Sequence, residues 1–226
     1  MQRYNIFNQL HKGLEALLSD TVRMLQQTDF SVAAEAHASL ARVNRFLRLM
    51  ADQAYLEDMY LLPLIETAAP ATAYVLEQDH HHNGMAIQQV KAILAVYDRA
   101  SSTAERIYAG KILINVFTEL MILSLRHLSK EENMVNTVLW TNFTDEHIFH
   151  LEQDMMTYIP PEDLSIYNFW TTQHLDAAEM DNWLMRLEAE NDRETFHEMA
   201  AFADHELVMK RSQQSARFME AEVMVA

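Results

Sequence analysis

The sequence contains no cysteine, only three glycines and four prolines, and 17 basic side chains against 33 acidic ones. The missing thiols exclude disulfides, thiolate metal sites and cysteine nucleophiles together. Any metal must then be held by His, Asp, Glu or weaker oxygen donors, a set that suits iron, manganese or zinc. The shortage of glycine and proline disfavours tightly turned sheets, and the abundance of Leu, Ala, Glu, Met and Gln favours long helices. An all-α fold is expected. The net charge of -16 repels phosphate backbones and anionic membrane surfaces, and no basic stripe offsets it, so neither nucleic acid nor membrane is expected as a partner. No run of about 18 apolar residues is apparent, and the opening MQRYNIFNQLHKG lacks the apolar core of a signal peptide. A soluble, cytoplasmic protein is expected. Gly13, Gly84 and Gly110 are isolated within helical patterns, so there is no phosphate-cradling loop. Gly84, one turn after His80, reads as a point of close helix approach.

What the sequence does contain is periodic. Half of its 226 residues are apolar, enough for a large core. Their spacing predicts four long helices near 4–28, 31–67, 71–99 and 102–140. Asp29 and Ser31 are placed to cap the second helix, Pro63 to kink it and Pro70 to stop it. Ser102 with Glu105 reads as a capping box for the fourth. Short connections predict an up-down-up-down four-helix bundle over 1–140. Residues 141–226 read as an extension of shorter helices packed on it, starting at TNFTDEH, at the Pro pair of IPPEDL, at Asp176, and at Asn191 with Glu194 as box partner. Methionines and tyrosines in these helices offer a surface for a homodimer.

Several polar residues fall on the apolar stripes. The first helix places His11 among Phe7, Leu14, Leu18 and Leu25. The second runs Leu40, Val43, Leu47, Met50, Ala54, Glu57, Leu61, Leu64, and the fourth runs Leu113, Phe117, Leu120, Ser124, His127, Glu131, Met134, Val138. In the third, about 100° per residue puts His80 on the face of Leu76, Ile87, Val90 and Leu94 and turns His81 and His82 away. Lys130 and Glu132 are read as pointing to solvent. His11 and His80 lie about two turns after their helix starts, and Glu57 and Glu131 about two turns before their helix ends. An antiparallel bundle brings all of them to one level. Carboxylates and histidines converging in an apolar core would carry a large desolvation cost, which a shared cation removes.

The stretches NQLHKGLEALL, LEDMYLLPLIE, LEQDHHHNGMAI and RHLSKEENMVNTVLW together resemble the hemerythrin-like (HHE cation-binding) family. The resemblance implies a non-haem iron pair bridged by Glu57 and Glu131, with His80 and His127 on one iron and His11 and a second-helix His on the other. That last position is Gln53, an amide where the family has an imidazole, which weakens the His11 side of the site. The expectation is one or two irons per chain, zinc or manganese also being compatible with the donors. Ligand-binding of O2 or NO, or iron handling under oxidative or nitrosative stress, follows from the resemblance. The alternatives are an oxidase or peroxidase-like enzyme at the same site and a metal-free interaction module. His37, His147, His150, His174, His197 and His205 show no convergent partners, and the Glu77-x-x-His80 pairing fails because Glu77 is off the stripe.

Overall fold

The computed structural model describes residues 3–175, 179–181 and 183–185. Among them are helices and no strand: α1 (Asn8–Gln27), α2 (Ala33–Tyr60), α3 (Leu62–Ala68), α4 (Pro70–Asp98), α5 (Thr103–Lys130), a π-helical turn (Glu131–Val135), α6 (Asn136–Asn142), α7 (Asp145–Met156) and α8 (Pro161–His174). The expected helix starts at Asp176 and Asn191, with Glu194, lie outside the described residues.

The boundaries follow local chemistry, with instructive departures. The Ser102 side chain accepts from the Glu105 N–H and Glu105 reaches back to the Ser102 backbone, completing the expected capping box. Thr144 caps α7 by accepting from the His147 N–H, and Pro161 occupies the first turn of α8. The predicted second helix breaks at Leu61, with Pro63 in the first turn of the new helix α3. Pro70 both ends α3 and opens α4. Asp29 and Ser31 do not cap α2, whose N-cap is Val32; the Asp29 carboxylate instead accepts from the Ser31 N–H at 2.8 Å and shapes the preceding turn. Helix α1 starts at Asn8 rather than near residue 4 because residues 3–5 are tied elsewhere: Arg3 donates to the Trp140 and Phe143 carbonyls at 2.8 Å, and the Trp140 indole donates to the Tyr4 carbonyl at 2.6 Å.

Helix α5 packs on α4, and α1 packs on both α2 and α5. At one end Thr28, after α1, bonds Ser39 in the first part of α2, and Phe30 meets Tyr97 from the last turn of α4. At the other end His11, early in α1, meets Glu57, late in α2, and Glu131, just past α5. Helix α8 lies along α1: Thr171 donates to the Gln9 carbonyl at 2.9 Å and Tyr167 to the Leu49 carbonyl at 3.1 Å. Close approach occurs at Gly13, where a Cβ would stand 2.8 Å from Thr171 Oγ1, and at Gly110, where it would overlap the Phe30 ring. The expectation for Gly84 fails, because a Cβ there meets nothing within 4 Å.

The core divides into two apolar clusters, and the division falls at the same level on each long helix. On α1 it separates Phe7 from Leu10, on α2 Leu56 from Met50, on α4 Leu76 from Ala86, and on the α5 run Val135 from Leu128. Each fully buried Leu or Phe of these clusters contributes about 1.5–3 kcal/mol. Close to this boundary on their helices lie His11, Gln53, Glu57, His80, His127 and Glu131. The helical run Thr103–Asn142 is long and apolar enough, by length and composition alone, to cross a membrane, as core helices of soluble proteins also are. Its inner face supplies part of this polar layer.

Candidate metal centre

The five residues His11, Glu57, His80, His127 and Glu131 that the stripes point inward converge, and Gln53 joins them. His11, Gln53, Glu57, His127 and Glu131 are buried, and His80 is nearly so, with 11 % of its side chain exposed. His80 Nε2 lies 3.3 Å from Glu57 Oε2 and 3.6 Å from Glu131 Oε1, and His127 Nε2 lies 3.3 Å from Glu131 Oε1. His11 Nε2 lies 3.4 Å from Glu131 Oε2 and 4.0 Å from Glu57 Oε1. Glu57, His80, His127 and Glu131 each offer one donor atom to a group whose members all fall within 4.8 Å of one another. His11 Nε2, His80 Nε2, Glu57 Oε2 and Glu131 Oε2 have no hydrogen-bond partner. Buried polar atoms are otherwise almost always paired, so nitrogens and oxygens aimed at one another without hydrogen bonds have the form of a cation site. The donor set, hard oxygen plus imidazole and no sulfur, fits iron, manganese or zinc.

Gln53 sits on the inward face of α2, where a histidine was expected, and donates from Nε2 to Glu57 Oε1 at 2.7 Å. It therefore fixes one carboxylate oxygen, while its own Oε1 has no partner.

The second acid of each acidic pair has a role that the sequence reading missed. Asp58, following Glu57, lies 2.7 Å from His80 Nδ1, and Glu132, following Glu131, lies 3.2 Å from His11 Nδ1. An imidazole whose outer nitrogen donates to a carboxylate is held in the tautomer that turns the inner lone pair to a metal. The assignment of Glu132 to solvent alone is thus corrected, whereas Lys130 does point outward, pairing at the surface with Asp79 at 2.7 Å. The signal was present in the sequence as a repeated acidic dipeptide at the same level of two helices.

The π-turn explains why an ideal helix misplaces the end of this run. The Asn136 N–H bonds the Glu131 carbonyl, five residues back, and the Asn136 side chain supplies the Glu132 carbonyl at 3.0 Å. One residue is absorbed in the wide turn. Beyond Glu131 the buried positions become Val135 and Leu139, while Met134 and Val138 are only half-buried.

Burial alone would depress His80, but the Glu131 and Glu57 carboxylates overcome it and raise the imidazole to about 11. Burial likewise opposes charging His11, and Glu131, Glu132 and Glu57 raise it well above its ordinary value. Burial pushes the Glu57 carboxyl up, but His11, His80 and His127 draw it well below the usual carboxylate range. Without a metal, protons on histidines hold the carboxylates' charge.

His81, His82, Glu77, His37, His147, His150 and His174 are on the outer surface as described, and His197 and His205 lie outside the described residues.

The family model of the hemerythrin HHE cation-binding domain matches residues 3–139. The chain belongs to this hemerythrin family. Comparison with curated proteins finds no match, and neither does comparison with solved structures. The matched span ends just past the π-turn and includes every residue of the four-donor group.

Proposed function

We propose that this hemerythrin-family protein is a non-haem iron protein of the cytoplasm that binds O2 or NO, or takes up and releases iron, under oxidative or nitrosative stress. The observation that carries the reading is the four-donor group Glu57, His80, His127 and Glu131, set in the apolar core with unpartnered atoms among them. These four residues would hold one iron firmly. His11, with Gln53 where an imidazole would complete a second position, would hold a second one weakly or not at all. Bound there, ferrous iron supplies affinity for a diatomic gas. The chain contributes orientation through Asp58 and Glu132, a fixed carboxylate through Gln53, and water exclusion through the Phe7 ring, which stacks on His11 with centroids 4.5 Å apart.

The test is the visible absorption of the ferrous protein, loaded without an affinity tag, before and after exposure to O2 and to NO. New bands with either gas support the reading. Bound iron that is spectrally indifferent to both gases removes the gas-binding half and leaves iron handling.

A second reading, a metal-free bundle, is favoured by one observation: Glu57 already accepts from Gln53, and histidines raised well above their ordinary range can balance both carboxylates. Failure of the protein to take up any metal after anaerobic iron loading would select it.

A further inference from the structure

Tyr60, the last residue of α2, and Tyr158, in the connection between α7 and α8, hold their rings with centroids 5.5 Å apart and planes tilted by 55°. Hydrogen bonding to the Tyr158 hydroxyl is the main cause that pushes the Tyr60 phenol up to about 12. The two hydroxyls therefore lie at the same edge of the pair, and so do the ring carbons next to them. Tyr158 is 65 % exposed and Tyr60 half-buried, so the pair is open to solvent. All eight tyrosines of the chain fall within the described residues, and among these this is the one pair of tyrosine rings in contact. Tyr4 meets Phe149 and Tyr97 meets Phe30, whereas the exposed Tyr55, Tyr74 and Tyr108 stack on no ring.

Adjacent phenols are suited to oxidative coupling. Each loses one electron and its hydroxyl proton, and the two phenoxyl radicals join through the ring carbons beside their oxygens. The hydrogens on those carbons then move to the oxygens and restore both rings. The sum is one new carbon–carbon bond, two protons released to solvent and two electrons passed to the oxidant. Radicals on separate molecules must meet by diffusion, whereas a held pair reacts at the high effective concentration of an intramolecular partner. Exposure alone would favour Tyr74 and Tyr108; proximity favours Tyr60 with Tyr158. The chain has no cysteine to be oxidised in their place.

We propose that Tyr60 and Tyr158 are a site of oxidative cross-linking, at which two equivalents of a one-electron oxidant join the two rings by a carbon–carbon bond. The bond staples the end of α2, three residues past Glu57, to the connection that leads into α8. It closes the chain over residues 60–158, a long span for which a cross-link strongly restricts the unfolded state. The step needs no metal and leaves the residues of the metal centre untouched.

Photochemical oxidation of the dilute, metal-free, full-length chain with tris(bipyridyl)ruthenium and persulfate tests this, read by dityrosine fluorescence and by mass spectrometry of the digest. The expected product is a single chain in which the peptides of Tyr60 and Tyr158 are joined and two hydrogens lighter. Tyr60→Phe and Tyr158→Phe keep the rings and their packing but should each abolish it, and Tyr55→Phe should leave it unchanged. The cross-linked chain should melt roughly 10 °C above Tyr158→Phe treated alike. Cross-links chiefly between chains, an intrachain pair of other tyrosines, or a product that survives Tyr158→Phe overturns the proposal, and so does oxidation that forms no dityrosine. Because the chain is metal-free throughout, every outcome is separate from the iron reading.

Discussion

Asp58 Oδ1 lies 2.7 Å from His80 Nδ1 while His80 Nε2, the opposite nitrogen of the same ring, lies 3.3 Å from Glu57 Oε2. Two consecutive acids of α2 thus hold both edges of one imidazole from α4. Glu131 and Glu132 repeat the device on His11, at 3.4 and 3.2 Å. Consecutive helical residues differ by about 100° in direction, so such a dipeptide reaches both edges of a ring only from a neighbouring helix. The π-turn that begins at Glu131 sets this geometry on the α5 run.

Replacing Asp58 by Asn should weaken the tightest metal site about 10- to 100-fold, the usual effect of losing an outer carboxylate partner of a ligating histidine. Asp58 is exposed, so the helical circular dichroism and melting of the metal-free protein should change little. Glu132→Gln should have a smaller effect on that site, because His11 lies outside the four-donor group. Competition with a coloured chelator measures both. Equal affinities for Asp58→Asn and the unaltered protein would remove the orienting role.

Metal binding should release protons and tighten as pH rises. A ligating imidazole must be proton-free, and His80 in the metal-free fold titrates at about 11. Near pH 7 each bound metal therefore displaces at least one proton, which calorimetry in two buffers of different ionisation enthalpy counts. A count of zero would contradict the arrangement. The sign for the metal-free fold is the reverse. The raised His80 contributes stability fully present below its ordinary 6.5 and lost as pH climbs toward about 11, and the depressed Glu57 contributes stability present above its ordinary 4.5 and lost on acidification. Metal-free protein should be most stable, as far as this pair decides, between those two ordinary values.

Gly84 and Gly110 should respond oppositely to alanine. Gly84 is exposed within α4 with open space around its missing Cβ, so Gly84→Ala should stabilise by about 0.5–1 kcal/mol through helix propensity and chain entropy. Gly110 abuts the Phe30 ring, and Gly110→Ala should destabilise by about 1–3 kcal/mol through overpacking. Denaturant midpoints of the two variants check this.

Much of this was legible because buried faces impose a period. The stripe of Phe7, His11, Leu14, Leu18 and Leu25 is buried throughout, and His80 was separated from His81 and His82 by phase alone. The all-α class followed from scarce glycine and proline and abundant helix formers. Three features escaped for physical reasons. The shift from Met134 and Val138 to Val135 and Leu139 depends on a wide turn that leaves no mark in apolar spacing. The partners of Asp58 and Glu132 belong to other helices, so a phase argument within one helix assigned Glu132 to water. The pairing of Tyr60 with Tyr158 depends on the connection between α7 and α8, whose docking no local pattern encodes.

The central claim is that Glu57, His80, His127 and Glu131 hold one metal. Its most direct test is the iron content of the chain after anaerobic loading and removal of weakly held metal, compared with His127→Gln and with the outward control His81→Gln. One iron per chain in the unaltered protein and in His81→Gln, with loss in His127→Gln, is the expected result. Two tightly held irons, none, or undiminished iron in His127→Gln would contradict it.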